Sequence, residues 1–70
     1  MIINYKIADI TNLPLSVEVR VGTFYITKKW YNSGTLWIRI ATIPESMNAR
    51  WFDSPEVAVK FMNEYERNNG

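Results

Sequence analysis

Residues 15–43, LSVEVRVGTFYITKKWYNSGTLWIRIATI, decide the fold, because two turn signals lie inside one continuous period-two pattern. Leu15, Val17, Val19 and Val21 alternate with Ser16, Glu18 and Arg20, as in a strand with one buried face. Phe24 to Tyr31 and Leu36 to Ile43 alternate in the same way and read as two further strands. Gly22 and Thr23 stand between the first two. Glycine at the first position of a two-residue loop supplies the positive φ that a type II′ hairpin requires. Asn32, Ser33 and Gly34 suit a three-residue loop that ends on a left-handed glycine and forms a bulge.

These turns set a register. Val21 falls opposite Phe24 and Tyr31 opposite Thr35, which puts Trp30 across from Leu36, Lys28 from Ile38 and Ile26 from Ile40. A slip of one residue would bring Leu36, Ile38 and Ile40 to the solvent side, so burial selects the same pairing. Lys28 is the discordant residue, predicted inward between Ile26 and Trp30, where it must sit at a sheet edge or snorkel to water.

Outward from this stretch, Ile3, Tyr5 and Ile7 alternate with Asn4, Lys6 and Ala8 and predict a preceding strand that stops between Asp9 and Pro14, with Asn12, Leu13 and Pro14 as a turn. After Pro44 the period changes. Ser54 as N-cap with Pro55 at the first helical position, or Asp53 as cap with Glu56 closing a capping box, opens a helix of about 13 residues and ~20 Å. Val57, Phe61 and Tyr65, with Ala58 and Met62 beside them, form its apolar stripe; Glu56, Lys60, Asn63, Glu64 and Arg67 take the other side. The expected architecture is α+β: a four-stranded antiparallel β-meander with one C-terminal α-helix packed on one face, a single domain over residues 1–70. Its expected core is Ile3, Ile7, Val17, Val19, Val21, Phe24, Ile26, Trp30, Leu36, Ile38, Ile40, Phe52, Val57, Ala58, Phe61, Met62 and Tyr65.

Composition narrows the function. With 70 residues, 47% of them apolar and 21% charged, there is room for one small core. No Cys or His is present, which excludes the usual zinc sites, disulfides, thiolate nucleophiles and imidazole bases. No apolar run nears the ~20 residues that span a bilayer, and no signal-peptide pattern opens the chain, so a soluble cytoplasmic protein, complete from Met1 to Gly70 and without a membrane partner, is expected. The net charge is +1. Through Thr42 the basic residues Lys6, Arg20, Lys28, Lys29 and Arg39 outnumber Asp9 and Glu18, and beyond it the acidic residues prevail. Ser16, Ser33, Ser46 and Ser54 have no catalytic partner in view, Asp53 and Glu56 are explained by a helix cap, and the three glycines are too scattered to cradle a phosphate. Neither catalysis nor a cofactor or metal is expected.

One helix covers one face of a sheet. The other face then carries Ser16, Glu18, Arg20, Tyr25, Thr27, Lys29, Tyr31, Trp37, Arg39 and Ala41. Arg20, Tyr25, Lys29, Tyr31, Trp37 and Arg39 are its candidate contact residues, since Tyr, Trp and Arg dominate binding hot spots. Packing alone offers a competing account, in which Lys29 lies over Trp37 as a cation–π pair. The loop from Pro44 to Arg50, with Met47 and Arg50, reads as a solvated connection.

The run from Val17 to Tyr65, paired hairpins followed by Trp51, Phe52, Ser54, Glu56, Ala58, Phe61 and Tyr65, resembles the small DNA-binding modules of tyrosine recombinases. That likeness implies a sheet that reads nucleic acid with a helix behind it. In overall form, and in Arg50, Phe52, Asp53, Ser54 and Glu56 at the helix start, the chain is also similar to small phage-encoded inhibitors of anti-CRISPR type. This second likeness implies a compact domain that obstructs a host complex, and it transfers no site. The expectation is a nonenzymatic binding module that docks on a host protein or nucleoprotein complex through its aromatic and basic sheet face. Nucleic acid as the direct ligand of that face is the alternative. Docking through the acidic residues Asp53, Glu56, Glu64 and Glu66 is also open, as is a monomer or a homodimer formed by the open face or a strand edge.

Overall fold

The computed structural model describes residues 4–43 and 49–69. Four strands, β1 (Glu18–Val21), β2 (Phe24–Trp30), β3 (Leu36–Ala41) and β4 (Arg50–Phe52), form one antiparallel sheet in the order β1-β2-β3-β4. A four-residue helix, α1 (Ala8–Thr11), precedes the sheet, and α2 (Pro55–Asn69) follows it and packs on one face.

Both hairpins close as their glycines dictate. Gly22 has φ +61° and Val21 pairs with Phe24. Gly34 has φ +81°, and the Tyr31 amide donates to the Thr35 carbonyl at 3.1 Å while the Gly34 amide donates to the Tyr31 carbonyl at 2.9 Å. Trp30 with Leu36, Lys28 with Ile38 and Ile26 with Ile40 are Cα partners, the register derived from the turns.

The sheet has four strands, but not the four expected. The segment around Tyr5 is no strand of the sheet: the Asn63 side chain accepts from the Tyr5 amide at 2.6 Å and donates to its carbonyl at 3.1 Å. A side-chain amide on α2 thus supplies the bonds a neighbouring strand would have made, and Asn63 lies on the packed side of the helix rather than the solvent side. Beyond it the chain coils into α1, where the Asp9 carboxylate accepts the Lys6 amide at 2.9 Å. Ile7 is exposed and Ile10, outside the expected core, is fully buried; Ile3 lies outside the described residues.

The strand expected from Leu15 starts only at Glu18. Ser16 sits at φ +63°, a left-handed conformation that breaks the extended run, and its amide donates to the Lys28 carbonyl at 2.7 Å. Val17 therefore falls before the ladder and is exposed. The fourth sheet member is β4, paired to β3 through Ile38 with Phe52, Arg39 with Trp51 and Ile40 with Arg50. Met47 and the rest of 44–48 lie outside the described residues.

Phe24, Ile26, Ile38 and Ile40 of the sheet meet Tyr5, Ile10, Ala58, Val59 and Met62 in one core. Fully burying a side chain of this size contributes about 1.5–3 kcal/mol. On α2 the buried stripe runs through Ala58, Val59 and Met62, flanked by Phe61 and Tyr65, so Val57 turns to solvent. The Ala58 amide donates to the Ser54 carbonyl at 3.0 Å, which makes Ser54 rather than Asp53 the cap and puts Pro55 first in the helix. Trp30 has the parity of the core face yet is 55% exposed, because it lies one row past Lys28, where the covering ends. Lys28 itself is buried; its ammonium donates to the Thr11 carbonyl at 2.9 Å, at the carbonyl end of α1.

Candidate binding face

Strand pleating sends Glu18 and Arg20 of β1, Tyr25, Thr27 and Lys29 of β2, Trp37 and Arg39 of β3 and Trp51 of β4 to the face away from α2. The six candidate contact residues, Arg20, Tyr25, Lys29, Tyr31, Trp37 and Arg39, all belong to this face, and the structure divides them into three groups.

At one end Arg20 and Tyr25 satisfy each other. The guanidinium lies 6.0 Å from the Tyr25 ring centroid, and its Nε donates to the Gly22 carbonyl at 3.1 Å. In the middle, Glu18, Thr27, Arg39 and Trp51 form one row across all four strands. Arg39 reaches over Thr27 and donates from Nη1 to Glu18 Oε2 at 3.4 Å, both side chains being largely covered. Its charge is thereby balanced within the fold.

The third group is aromatic. Tyr31, just past β2, and Trp51, on β4, flank β3, and strands two apart in a sheet are separated by about 10 Å. Their rings nonetheless stand 6.3 Å apart at an interplanar angle of 68°, so both lean inward over β3. With Trp37 they line a shallow trough of about 240 Å³. Tyr31 and Trp51 are 42% and 48% exposed, so the trough opens to solvent. Lys29 stands beside it with Nζ 5.8 Å from the Tyr31 ring centroid; its cation–π partner is Tyr31 and not Trp37.

Trp51 is the member the sequence did not reveal. It stands between Arg50 and Phe52, which turn to the core side: Phe52 pairs with Ile38, and the Arg50 guanidinium lies 5.6 Å from the Phe61 ring centroid. Arg50 is thus packed on the helix side, away from the trough.

Among the described residues no cluster of three metal-ligating side chains occurs. Glu56 accepts from the Ser54 hydroxyl at 3.4 Å and Glu66 from the Tyr5 hydroxyl at 3.2 Å, so two of the acidic helix residues serve the fold. No helix among the described residues is long and apolar enough to cross a membrane. Comparison with known proteins found no family model, no curated protein and no solved structure that matches the chain.

Proposed function

We propose that the protein is a nonenzymatic binding module that docks on a protein, alone or within a nucleoprotein complex, through the open face of its sheet. The trough of Tyr31, Trp37 and Trp51 carries this reading. Large rings gathered over a strand present apolar surface to solvent with few rotors to immobilise, the property that makes Tyr and Trp anchors of interfaces.

Nucleic acid fits the same face less well. Phosphate binding needs cations turned outward, and here Arg39 is paired with Glu18 while Arg20 is held by the Gly22 carbonyl and the Tyr25 ring. An inhibitory role against a host complex is one form this module could take, but Arg50, Phe52 and Ser54, which carried the likeness to phage inhibitors, are spent on β4 and the helix start.

The test is photo-cross-linking in the cells that naturally make the protein. p-Benzoylphenylalanine is placed at Tyr25, on the open face, or at Val57, exposed on α2. A discrete protein adduct from the Tyr25 position and none from Val57 is the expected result. Adducts from Val57 alone would move the contact to the helix, and adducts to nucleic acid alone would reverse the choice of partner.

A further inference from the structure

Resting on that reading, we infer that the trough takes a proline-rich segment in the polyproline II conformation, with acidic residues beside its prolines. Three properties of the face select this chemistry.

The first is the lining. Tyr31, Trp37 and Trp51 present mainly apolar ring surface, which accepts apolar or cationic groups. A cationic group would meet the Lys29 ammonium, already 5.8 Å from the Tyr31 ring centroid. An apolar group remains.

The second is the backbone. Beneath the trough β3 is paired with β2 along Leu36–Ala41 and with β4 along Ile38–Ile40, so its backbone polar groups lie in the plane of the sheet rather than toward the face. A segment lying on this face finds no main-chain partner and must keep its polar groups in water or lack them. Polyproline II keeps its backbone solvated, has no internal hydrogen bonds to protect, and proline has no N–H to strand. An amphipathic helix also satisfies its own backbone, but its apolar stripe runs over several turns. Along this face the aromatic surface soon gives way to Thr27, Arg39 and Glu18. Single rings projecting once per turn of a thin polyproline helix match a short trough better, which is the way aromatic grooves generally receive such segments.

The third is charge. At the trough the strand cation is Lys29, exposed with Nζ 5.8 Å from the Tyr31 ring centroid, so an acidic residue beside the prolines meets its ammonium.

The experiment uses the full chain labelled with ¹⁵N and follows the indole N–H signals of Trp30, Trp37 and Trp51 during titration. The probe is a synthetic hexaproline peptide with glutamates at both ends. Controls are the same peptide with alanines for prolines, an acidic leucine-rich helical peptide and an oligothymidylate. Saturable shifts at Trp37 and Trp51, with Trp30 unmoved, and binding at least about tenfold weaker for the alanine peptide are expected, a difference of about 1.4 kcal/mol. Equal binding of the alanine peptide overturns the inference, as does silence of both indoles at about 1 mM proline peptide, a concentration that would show even weak association. Shifts with the leucine-rich peptide alone would overturn it while leaving the binding face intact. Shifts with the oligothymidylate alone would overturn both.

Discussion

Ser16 and Gly22 both hold a left-handed backbone, and their side chains make the consequences opposite. Ser16 pays a steric cost of about 1–2 kcal/mol at φ +63°. Ser16→Gly relieves that cost, less the extra freedom glycine gives the unfolded chain, so a gain of about 0.5–1 kcal/mol is expected, read as a melting temperature several degrees higher. Gly22 is needed twice, by its φ of +61° and by the Tyr5 ring, whose Cε1 and Cζ would lie 2.9 Å from an added Cβ with the hydroxyl nearer still. Gly22→Ala is therefore expected to cost about 2 kcal/mol or more and to lower the melting temperature by about 10 °C. The glycine's turn role was legible in the sequence, but the approach of Tyr5 was not, since it joins residues far apart in the chain. Lys28 shows the same division. The hairpin register correctly put it inward, and only the structure shows the Thr11 carbonyl that receives its charge.

At the scale of elements, local signals succeeded where they were long and failed where they were short. The two hairpins were legible because turn chemistry and alternation agreed over residues 15–43. β4 has three residues, too few to show a period, and the segment around Tyr5 has the period of a strand but takes its bonds from Asn63. That N-terminal segment and α1 close the core, so Ile10→Ala is expected to cost about 2–5 kcal/mol, enough to unfold much of a domain this small, whereas Val57→Ala stays within about 0.5 kcal/mol. Denaturant midpoints of the two variants check the contrast. Tyr5 ties the same segment to the β1–β2 turn: its hydroxyl accepts the Thr23 amide at 3.3 Å and donates to Glu66 at 3.2 Å. Burial foremost, with the Glu66 charge nearby, raises the phenol above its ordinary value against the opposing Thr23 bond. The folded chain thus keeps a proton that the unfolded chain gives up near pH 10, and this contribution to stability is full below about pH 10 and lost as pH rises through the higher folded value. Melting curves from pH 8 to about 11 are expected to fall more steeply for the wild type than for Tyr5→Phe.

Across the whole molecule, the helices and the N-terminal segment described converge on one side of the sheet and leave the other side uncovered by them. Among the described residues its outer strands are short, four residues at β1 with Glu18 and Arg20 and three at β4 with Arg50, features that discourage edge-to-edge pairing. Which residues share that face was legible from the hairpins; that Trp51 completes its trough was not, because β4 had to be seen first. The face reading separates three tryptophans by role: Trp37 and Trp51 line the trough, while Trp30 is exposed on the opposite parity of the same sheet. The most direct test of the account compares Trp30→Ala, Trp37→Ala and Trp51→Ala for retention of the partner identified by cross-linking, with folding of each checked by circular dichroism. Trp37→Ala and Trp51→Ala are expected to stay folded and to bind at least about tenfold more weakly, while Trp30→Ala binds as the wild type. Loss of binding in Trp30→Ala with retention in the other two would contradict the account.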